Sequence, residues 1–282
     1  MTDHAGPSAM SGADGSGGQE LVIGSAEQLW QPSSRRNFLR LMGLGGTVVM
    51  LPGLFACNSN DSITGTTGAT AVTLNLSNDV GILNYAYALE QLEAAFYTAV
   101  VASSAFSGMS AEQKEVMVDL RNHEVIHREF LKQVLGSARI GDLALNATTV
   151  AAITANTAVI LKTSESFEDL GVSAYNGAGK YLTDPANLLV AGKIVSVEAR
   201  HAAAIRDLRE GLSLAGTPAG TRFAGDDVVN ASGLDVKLEP SAVLTAVAGT
   251  NVIDMTKTSV SIGTQPATKP GTADQSPPSP TP

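Results

Sequence analysis

The sequence predicts an all-α fold: a bundle of four helices in antiparallel pairs, followed by an irregular C-terminal extension. Four segments between residues 78 and 212 repeat apolar residues at the spacing of a helix. Most of them begin at residues that cap helices, and hardly any stretch alternates in the manner of a strand. Long amphipathic helices in succession bury their apolar faces against one another, which favours a bundle.

The first two helices have clear start signals. Asn78 and Asp79 form a capping pair before "VGILNYAYALEQLEAAFYTAVVAS", where leucine, alanine and aromatic residues recur at helical spacing. The second helix opens at Ser110, with Gln113 completing a capping box, and is expected to end at Gly136.

The other two helices are expected further along the chain. The third covers about residues 148–176, with a start blurred by threonine, valine and isoleucine, which lower helix propensity. The fourth begins at Pro185, a residue suited to a first turn, and ends near Gly211. Residues 213–262 are predicted to pack on the bundle as an extension, with a short helix after Pro240.

The segment before the bundle has the order of an export signal. Arg35 and Arg36 stand in "SRRNFLR", which resembles the twin-arginine signal, and a short apolar run with glycines follows. This run is too short and too rich in glycine for a comfortable membrane span. Residues 1–56 are therefore predicted to direct export by the twin-arginine route to a periplasmic or cell-surface location.

Cys57 ends this segment as "LFAC", which resembles a lipoprotein processing box. We expect lipidation of Cys57, so that a lipid anchor ties the protein to a membrane. Residues 57–77 would then form a polar tether, and residues 263–282, rich in proline, threonine and serine, a disordered tail.

Charge and cysteine content exclude several classes of function. The formal net charge is −9, with few basic clusters, so the chain is a poor partner for nucleic acid. A single cysteine allows no internal disulfide and no cysteine-based metal site. A homo-oligomer remains open.

Two helices carry the same polar motif. Glu124 and His127 form Glu-x-x-His in the second helix, and Glu198 and His201 repeat it in the fourth. Residues three apart share a face of a helix. Each pair can therefore offer one oxygen and one nitrogen ligand to the same point. His123, next to Glu124, is expected on the surface or rim.

The first and third helices hold glutamate pairs. Glu90 and Glu93 precede the first Glu-x-x-His motif, and Glu165 and Glu168 precede the second. The inner glutamates lie 31 and 30 residues before the motifs, and the outer ones lie 34 and 33 residues before them. This spacing indicates an internal duplication, with either Glu93 and Glu168 or Glu90 and Glu165 as a symmetric pair.

One glutamate from each of two helices, with Glu-x-x-His from each of the other two, is the ligand pattern of di-iron and di-manganese carboxylate proteins. Six inward polar groups would each cost several kcal/mol, on the order of the handicap of a buried unpaired polar group. Two divalent cations offset four carboxylates in formal charge, and oxygen and imidazole ligands suit iron or manganese. Two iron or two manganese ions are thus the expected cofactors.

The stretches "ILNYAYALEQLEAAFY", "HEVIHREFL", "FEDLGVSAYNGA" and "VEARHAAAIRDL" resemble the exported ferritin-like domain family, which includes desiccation-related proteins. The resemblance covers about residues 78–212, and more distantly the chain is similar to ferritins, rubrerythrins and manganese catalases. It implies a ferritin-like four-helix bundle with a buried di-metal site.

The same resemblance favours two of the four glutamates as metal ligands. It ranks Glu93 and Glu168 above the other pair, Glu90 and Glu165, which are then neighbours or alternate ligands. Tyr97 and Tyr175 are candidates for contacts beside the site or for a radical relay, although amphipathic core tyrosines are common.

Three functions fit this reading. The first is a redox enzyme that handles a small oxidant such as peroxide or dioxygen, as a catalase-like protein or a ferroxidase. The second is a metal-binding module for stress or desiccation protection without turnover. The third is a purely structural surface protein, from which no metal would copurify.

Overall fold

The computed structural model describes residues 70–210, 225 and 227–264, all within the compact unit that spans residues 63–282. Arg35, Arg36 and Cys57 lie outside the described residues, as does most of the expected tail. Within the described part of the chain, no helix has the length and apolar character needed to cross a membrane.

Four long helices form the body of the fold. The first packs chiefly on the second, and the third chiefly on the fourth. Each pair is joined by a short connection, so its two helices run antiparallel. The predicted all-α, ferritin-like four-helix bundle is therefore confirmed. The helices are α1 (Asp79–Ala102), α2 (Ala111–Leu135), α3 (Thr157–Ala178) and α4 (Pro185–Glu210).

The predicted start signals act as caps. The side chain of Asn78 accepts a hydrogen bond from the Gly81 N–H at 3.0 Å, at the start of α1. At the start of α2, Ser110 accepts from the Gln113 N–H, and the Gln113 side chain accepts from the Ser110 N–H. Pro185 is the first residue of α4. These bonds satisfy N–H groups that a helix leaves unpaired in its first turn.

The third predicted helix is divided in the structure. In place of one helix over residues 148–176, a short helix spans Ala147–Ile153 and α3 begins at Thr157. Asn156 between them accepts a hydrogen bond from the Val159 N–H at 3.0 Å. A new cap of this kind starts a second helix, since the capping residue itself has extended backbone angles.

Most of α1 is buried, including two amide side chains. Asn84 accepts from the Ile140 N–H at 2.7 Å, and Gln91 accepts from the Leu143 N–H at 2.8 Å. The connection after α2 therefore lies over α1 and fills the hydrogen-bonding capacity of these amides. Buried polar groups of this kind are tolerated because they are paired.

The C-terminal part of the described chain adds a short helix and a strand. α5 (Pro240–Thr250) follows the proline at which a helix was predicted. β1 (Thr70–Leu74), before the bundle, pairs in parallel with β2 (Thr258–Ile262) after it. This two-stranded sheet joins the two ends of the described chain.

A close backbone contact holds the segment before α5 on the bundle. The Leu238 N–H donates to the Ser173 carbonyl of α3 at 2.9 Å. A Cβ atom at Gly177 would lie only 1.8 Å from the Leu238 carbonyl oxygen. Only glycine therefore fits at this position of α3.

Candidate metal centre

Six polar side chains from the four long helices meet in the middle of the bundle. All four carboxyl groups are fully buried, and the two imidazoles are nearly so. Such groups cost several kcal/mol on the order of each buried unpaired charge, so they require partners. The six are Glu90 from α1, Glu124 and His127 from α2, Glu168 from α3, and Glu198 and His201 from α4.

These side chains form two groups of four that share two carboxylates. In each group, one ligand atom from every residue lies within 4.8 Å of the others. Each group has the ligand types of a site for one cation, and the shared carboxylates place the two sites side by side. The first group holds Glu90, Glu124, His127 and Glu198, and the second holds Glu124, Glu168, Glu198 and His201.

The imidazole of His127 marks the first group. Its Nδ1 atom lies 2.9 Å from Oε1 of Glu198 and 3.4 Å from Oε2 of Glu124. Oε2 of Glu90 lies 3.5 Å from the same nitrogen. Three carboxylates from three helices thus converge on one ring nitrogen.

The imidazole of His201 marks the second group in the same way. Its Nδ1 atom lies 2.9 Å from Oε1 of Glu124, 3.1 Å from Oε2 of Glu198 and 3.3 Å from Oε2 of Glu168. Glu124 therefore directs one oxygen to each histidine, and Glu198 does the same. These two carboxylates have the arrangement of bridging ligands, whereas Glu168 reaches only one position.

One oxygen of each carboxylate lacks a hydrogen bond. Several of these atoms lie close to an imidazole nitrogen, yet the angles do not meet those of a hydrogen bond, so the contacts are electrostatic only. Buried oxygens without a hydrogen bond are rare in proteins and need a physical explanation. The four atoms are Glu90 Oε2, Glu124 Oε1, Glu168 Oε2 and Glu198 Oε1.

The remaining oxygens of the two outer carboxylates are held by tyrosines. The Tyr97 hydroxyl donates to Oε1 of Glu168 at 2.5 Å, and the Tyr175 hydroxyl donates to Oε1 of Glu90. Burial, followed by the charge of the contacted carboxylate, raises the pKa of each tyrosine well above its usual value. Both tyrosines therefore remain protonated donors that orient the carboxylates.

These contacts show a duplication that the spacing to Glu-x-x-His did not reveal. Glu90 and Tyr97 are seven residues apart on α1, and Glu168 and Tyr175 are seven apart on α3, with leucine two residues after each glutamate. The pattern Glu-x-Leu-x-x-x-x-Tyr is thus present twice. It was readable in the sequence and aligns Glu90 with Glu168.

The structure brings together neither of the two symmetric glutamate pairs expected from the sequence. It places Glu90 with Glu168 instead, 34 and 30 residues before their motifs. Equal spacing was a poor guide because the connection between α1 and α2 is longer and contains an extra short helix at Ser104–Ser107. Loop length can change without altering the register of inward-facing residues.

Two other glutamates lie near the centre but outside both groups. Glu93 takes the position of Gly171 in the repeated pattern, and its Oε1 atom lies 3.1 Å from where a Cβ on Gly171 would be. Burial and then the charge of Glu124 raise the pKa of Glu93 well above its usual value. Glu165 instead forms an ion pair with Arg209 of α4.

Burial and charge set the pKa values of the cluster. Burial disfavours the imidazolium of His201, but the charge of Glu168 and hydrogen bonds to carboxylates raise its pKa to about 12. The pKa of His127 is raised in the same way, against burial. Burial also disfavours ionised Glu198, yet hydrogen bonds from the two histidines lower its pKa to about 2. Positive charge is thus strongly favoured between the carboxylates.

His123 lies beside the centre and is exposed, as the sequence predicted. The sequence did not predict that its Nδ1 atom would lie 2.9 Å from Nε2 of His201, the nitrogen that faces away from the carboxylates. Burial and then the charges of His201 and His127 lower the pKa of His123.

Comparison with known proteins identifies the bundle. A family profile described as a ferritin-like domain matches residues 78–211, which include all four long helices and all six residues of the two groups. No curated protein matches the chain.

Proposed function

Residues 78–211 form a ferritin-like domain, and from this premise we propose that the protein binds two iron or two manganese ions and uses them in redox chemistry on peroxide or dioxygen. The observation that carries this proposal is the pair of four-residue groups that share Glu124 and Glu198. Catalase-like removal of peroxide and oxidation of ferrous iron are the expected activities, and either would serve in protection against stress.

The chemistry of the donor set fits these cations. Four buried carboxylate oxygens without a hydrogen bond supply lone pairs at the centre, and two imidazole Nδ1 atoms lie among them. Oxygen and imidazole donors suit iron and manganese. Four carboxylates also match two divalent cations in formal charge, so the ions would take over the positive charge that the imidazoles otherwise provide.

The residues would divide between the two ions as they do between the two groups. Iron or manganese ions that each change valence by one electron supply two-electron chemistry toward peroxide or dioxygen. Tyr97 and Tyr175 hold the outer carboxylates in place, and the apolar bundle keeps bulk water away. Glu90 and His127 would bind one ion, Glu168 and His201 would bind the other, and Glu124 and Glu198 would bind both.

Activity tests separate a redox enzyme from a passive metal protein. The purified chain is loaded with Fe²⁺ or Mn²⁺, and peroxide consumption and ferrous iron oxidation are measured beside a Glu124→Gln variant. The proposal expects turnover in the natural protein and its loss in the variant, because Glu124 belongs to both groups. Metal-loaded protein that carries out neither reaction would overturn the redox role.

A metal-binding protein without turnover is the alternative, and the unpaired buried oxygens support it equally. A metal that binds only the folded state stabilises it in proportion to the logarithm of its occupancy. This alternative expects a large fall in melting temperature when metal is stripped and no activity in the loaded form.

We propose also that the protein is exported by the twin-arginine route and anchored by a lipid on Cys57. The support is the order of Arg35, Arg36, an apolar run and "LFAC" in the sequence. A route that carries folded proteins would allow metal to bind before export. Replacement of Arg35 and Arg36 by lysine is expected to retain the chain in the cytoplasm. Cys57→Ala should abolish incorporation of a labelled fatty acid, and unchanged labelling would overturn the lipid anchor.

A further inference from the structure

His123 contacts a residue of the centre without belonging to either group. Its ring is nearly parallel to that of His201, with 6° between the ring planes and 5.1 Å between the ring centres. The Nδ1 atom of His123 lies 2.9 Å from Nε2 of His201. Since His123 is on α2 and His201 on α4, the contact also joins the two Glu-x-x-His helices.

The chemistry of a metal ligand fixes the direction of this hydrogen bond. The Nδ1 atom of His201 faces Glu124, Glu168 and Glu198, so a metal in the second group would take the lone pair of that nitrogen. A neutral imidazole then carries its proton on Nε2. His201 Nε2–H therefore donates to Nδ1 of His123, which accepts as the neutral tautomer protonated on Nε2.

The first group has no equivalent contact. The residue before Glu124 is His123, whereas the residue before Glu198 is Val197, which cannot accept a hydrogen bond. Among the residues that the structure describes, none accepts from Nε2 of His127. The two-fold repeat of the ligands is thus broken in the residues behind them.

We propose that His123 is a positioning residue for the metal held by His201, and that it makes the two metal positions unequal. This inference rests on the proposed metal centre. By accepting from Nε2–H, His123 holds the tautomer and the ring orientation that present Nδ1 to the ion. Partners of this kind behind a metal-bound histidine change metal affinity by about 10- to 100-fold.

A titration of the metal-free full chain with Co²⁺ tests this inference. The visible absorption of bound Co²⁺ reports ligand geometry, and competition with a chelator gives two stepwise dissociation constants. His123→Ala is expected to weaken one constant by about 10-fold or more, to leave the other unchanged, and to alter half of the absorption spectrum. His123→Asn, whose Oδ1 atom occupies the place of Nδ1, is expected to restore the constant.

Val197→Ala is the matched control, because Val197 has the place of His123 in the repeat. It is expected to leave both constants unchanged. Two ions bound with unchanged constants in His123→Ala, or an equal loss at both positions, would overturn the role of His123 while the metal centre stands. A natural protein that binds no Co²⁺ would overturn the metal centre and this inference together.

Discussion

The hydroxyl of Tyr97 on α1 donates to Oε1 of Glu168 on α3 over 2.5 Å. Tyr175 on α3 makes the corresponding contact with Glu90 on α1. Each tyrosine lies two helical turns from the glutamate on its own helix, so the two contacts cross between the helices. This crossed pair joins the two helix hairpins at the candidate metal centre and holds the outer carboxylate of each group.

Tyr97→Phe is expected to lower the free energy of unfolding of the metal-free protein by about 1–3 kcal/mol, because a buried carboxylate oxygen loses its donor. It should also weaken metal binding at the position that includes Glu168. Chemical denaturation and metal titration measure the two effects.

Tyr85→Phe is the control for Tyr97→Phe. The Tyr85 hydroxyl is buried and has no hydrogen-bond partner, so its removal should be neutral or stabilising. Equal destabilisation by the two changes would show that the contact of Tyr97 with Glu168 is not the cause.

Glu90→Gln and Glu93→Gln distinguish the ligand from its neighbour. Glu90→Gln should reduce the metal content from two ions to about one, because Glu90 belongs to the first group. Glu93→Gln should retain both ions, since Glu93 lies outside both groups. Elemental analysis of the two purified variants measures this, and the reverse pattern would assign the ligand role to Glu93.

The sequence was informative where a residue acts through its local spacing. The caps at Asn78 and Ser110, the start of α4 at Pro185, and the two Glu-x-x-His motifs all depend on neighbours within one helical turn. The choice between Glu90 and Glu93 depends on how far α1 is rotated against α3, which spacing across a loop does not determine. The repeated Glu-x-Leu-x-x-x-x-Tyr pattern contained this information, since its tyrosine identifies the glutamate opposite.

Other features depend on contacts between distant parts of the chain. His123 was expected on the surface, and it is exposed, yet it contacts His201 on a helix more than seventy residues later. The pairing of β1 with β2 joins the two ends of the described chain. No local pattern reports such contacts, because each partner alone looks like an ordinary surface or strand residue.

Asp79 links the start of α1 to the start of α4 and predicts a pH dependence. Its carboxylate accepts from Thr183, from the Asp184 N–H and from Asn187. Burial slightly opposes ionisation, but hydrogen bonds from Asn187, Thr183 and Asp184 outweigh it and lower the pKa of Asp79 to about 2. A lowered pKa in the folded state stabilises the protein above about pH 4, and this contribution is lost as pH falls toward 2.

Asp79→Asn removes that contribution. In metal-free protein, the variant should be less stable than the natural chain by about 1 kcal/mol at pH 7, a modest value because the site is partly exposed. The difference should shrink as pH falls from 4 to 2. Denaturation series at several pH values measure it, and a difference that stays constant with pH would contradict the assignment.

Gly177→Ala tests how the C-terminal part of the described chain is attached. A Cβ atom at this position would lie 1.8 Å from the Leu238 carbonyl oxygen, so the segment before α5 must move away. We expect a loss of about 1–3 kcal/mol in the free energy of unfolding, as for other overpacked sites.

Gly192→Ala on α4 is the matched control, since a Cβ atom there meets nothing within 4 Å. It should be neutral or stabilising by up to about 1 kcal/mol, as expected for alanine in place of glycine in a helix. If both glycine replacements stabilise the protein, Gly177 is not a close-contact position.

The central claim is that the bundle holds two metal ions, and elemental analysis of protein purified from its own host tests it most directly. Glu168→Ala serves as the control, because it removes the outer carboxylate of the second group without touching the first. We predict about two iron or manganese ions per chain in the natural protein and about one in the variant. Natural protein that carries no metal, or metal content that is unchanged by Glu168→Ala, would contradict the claim.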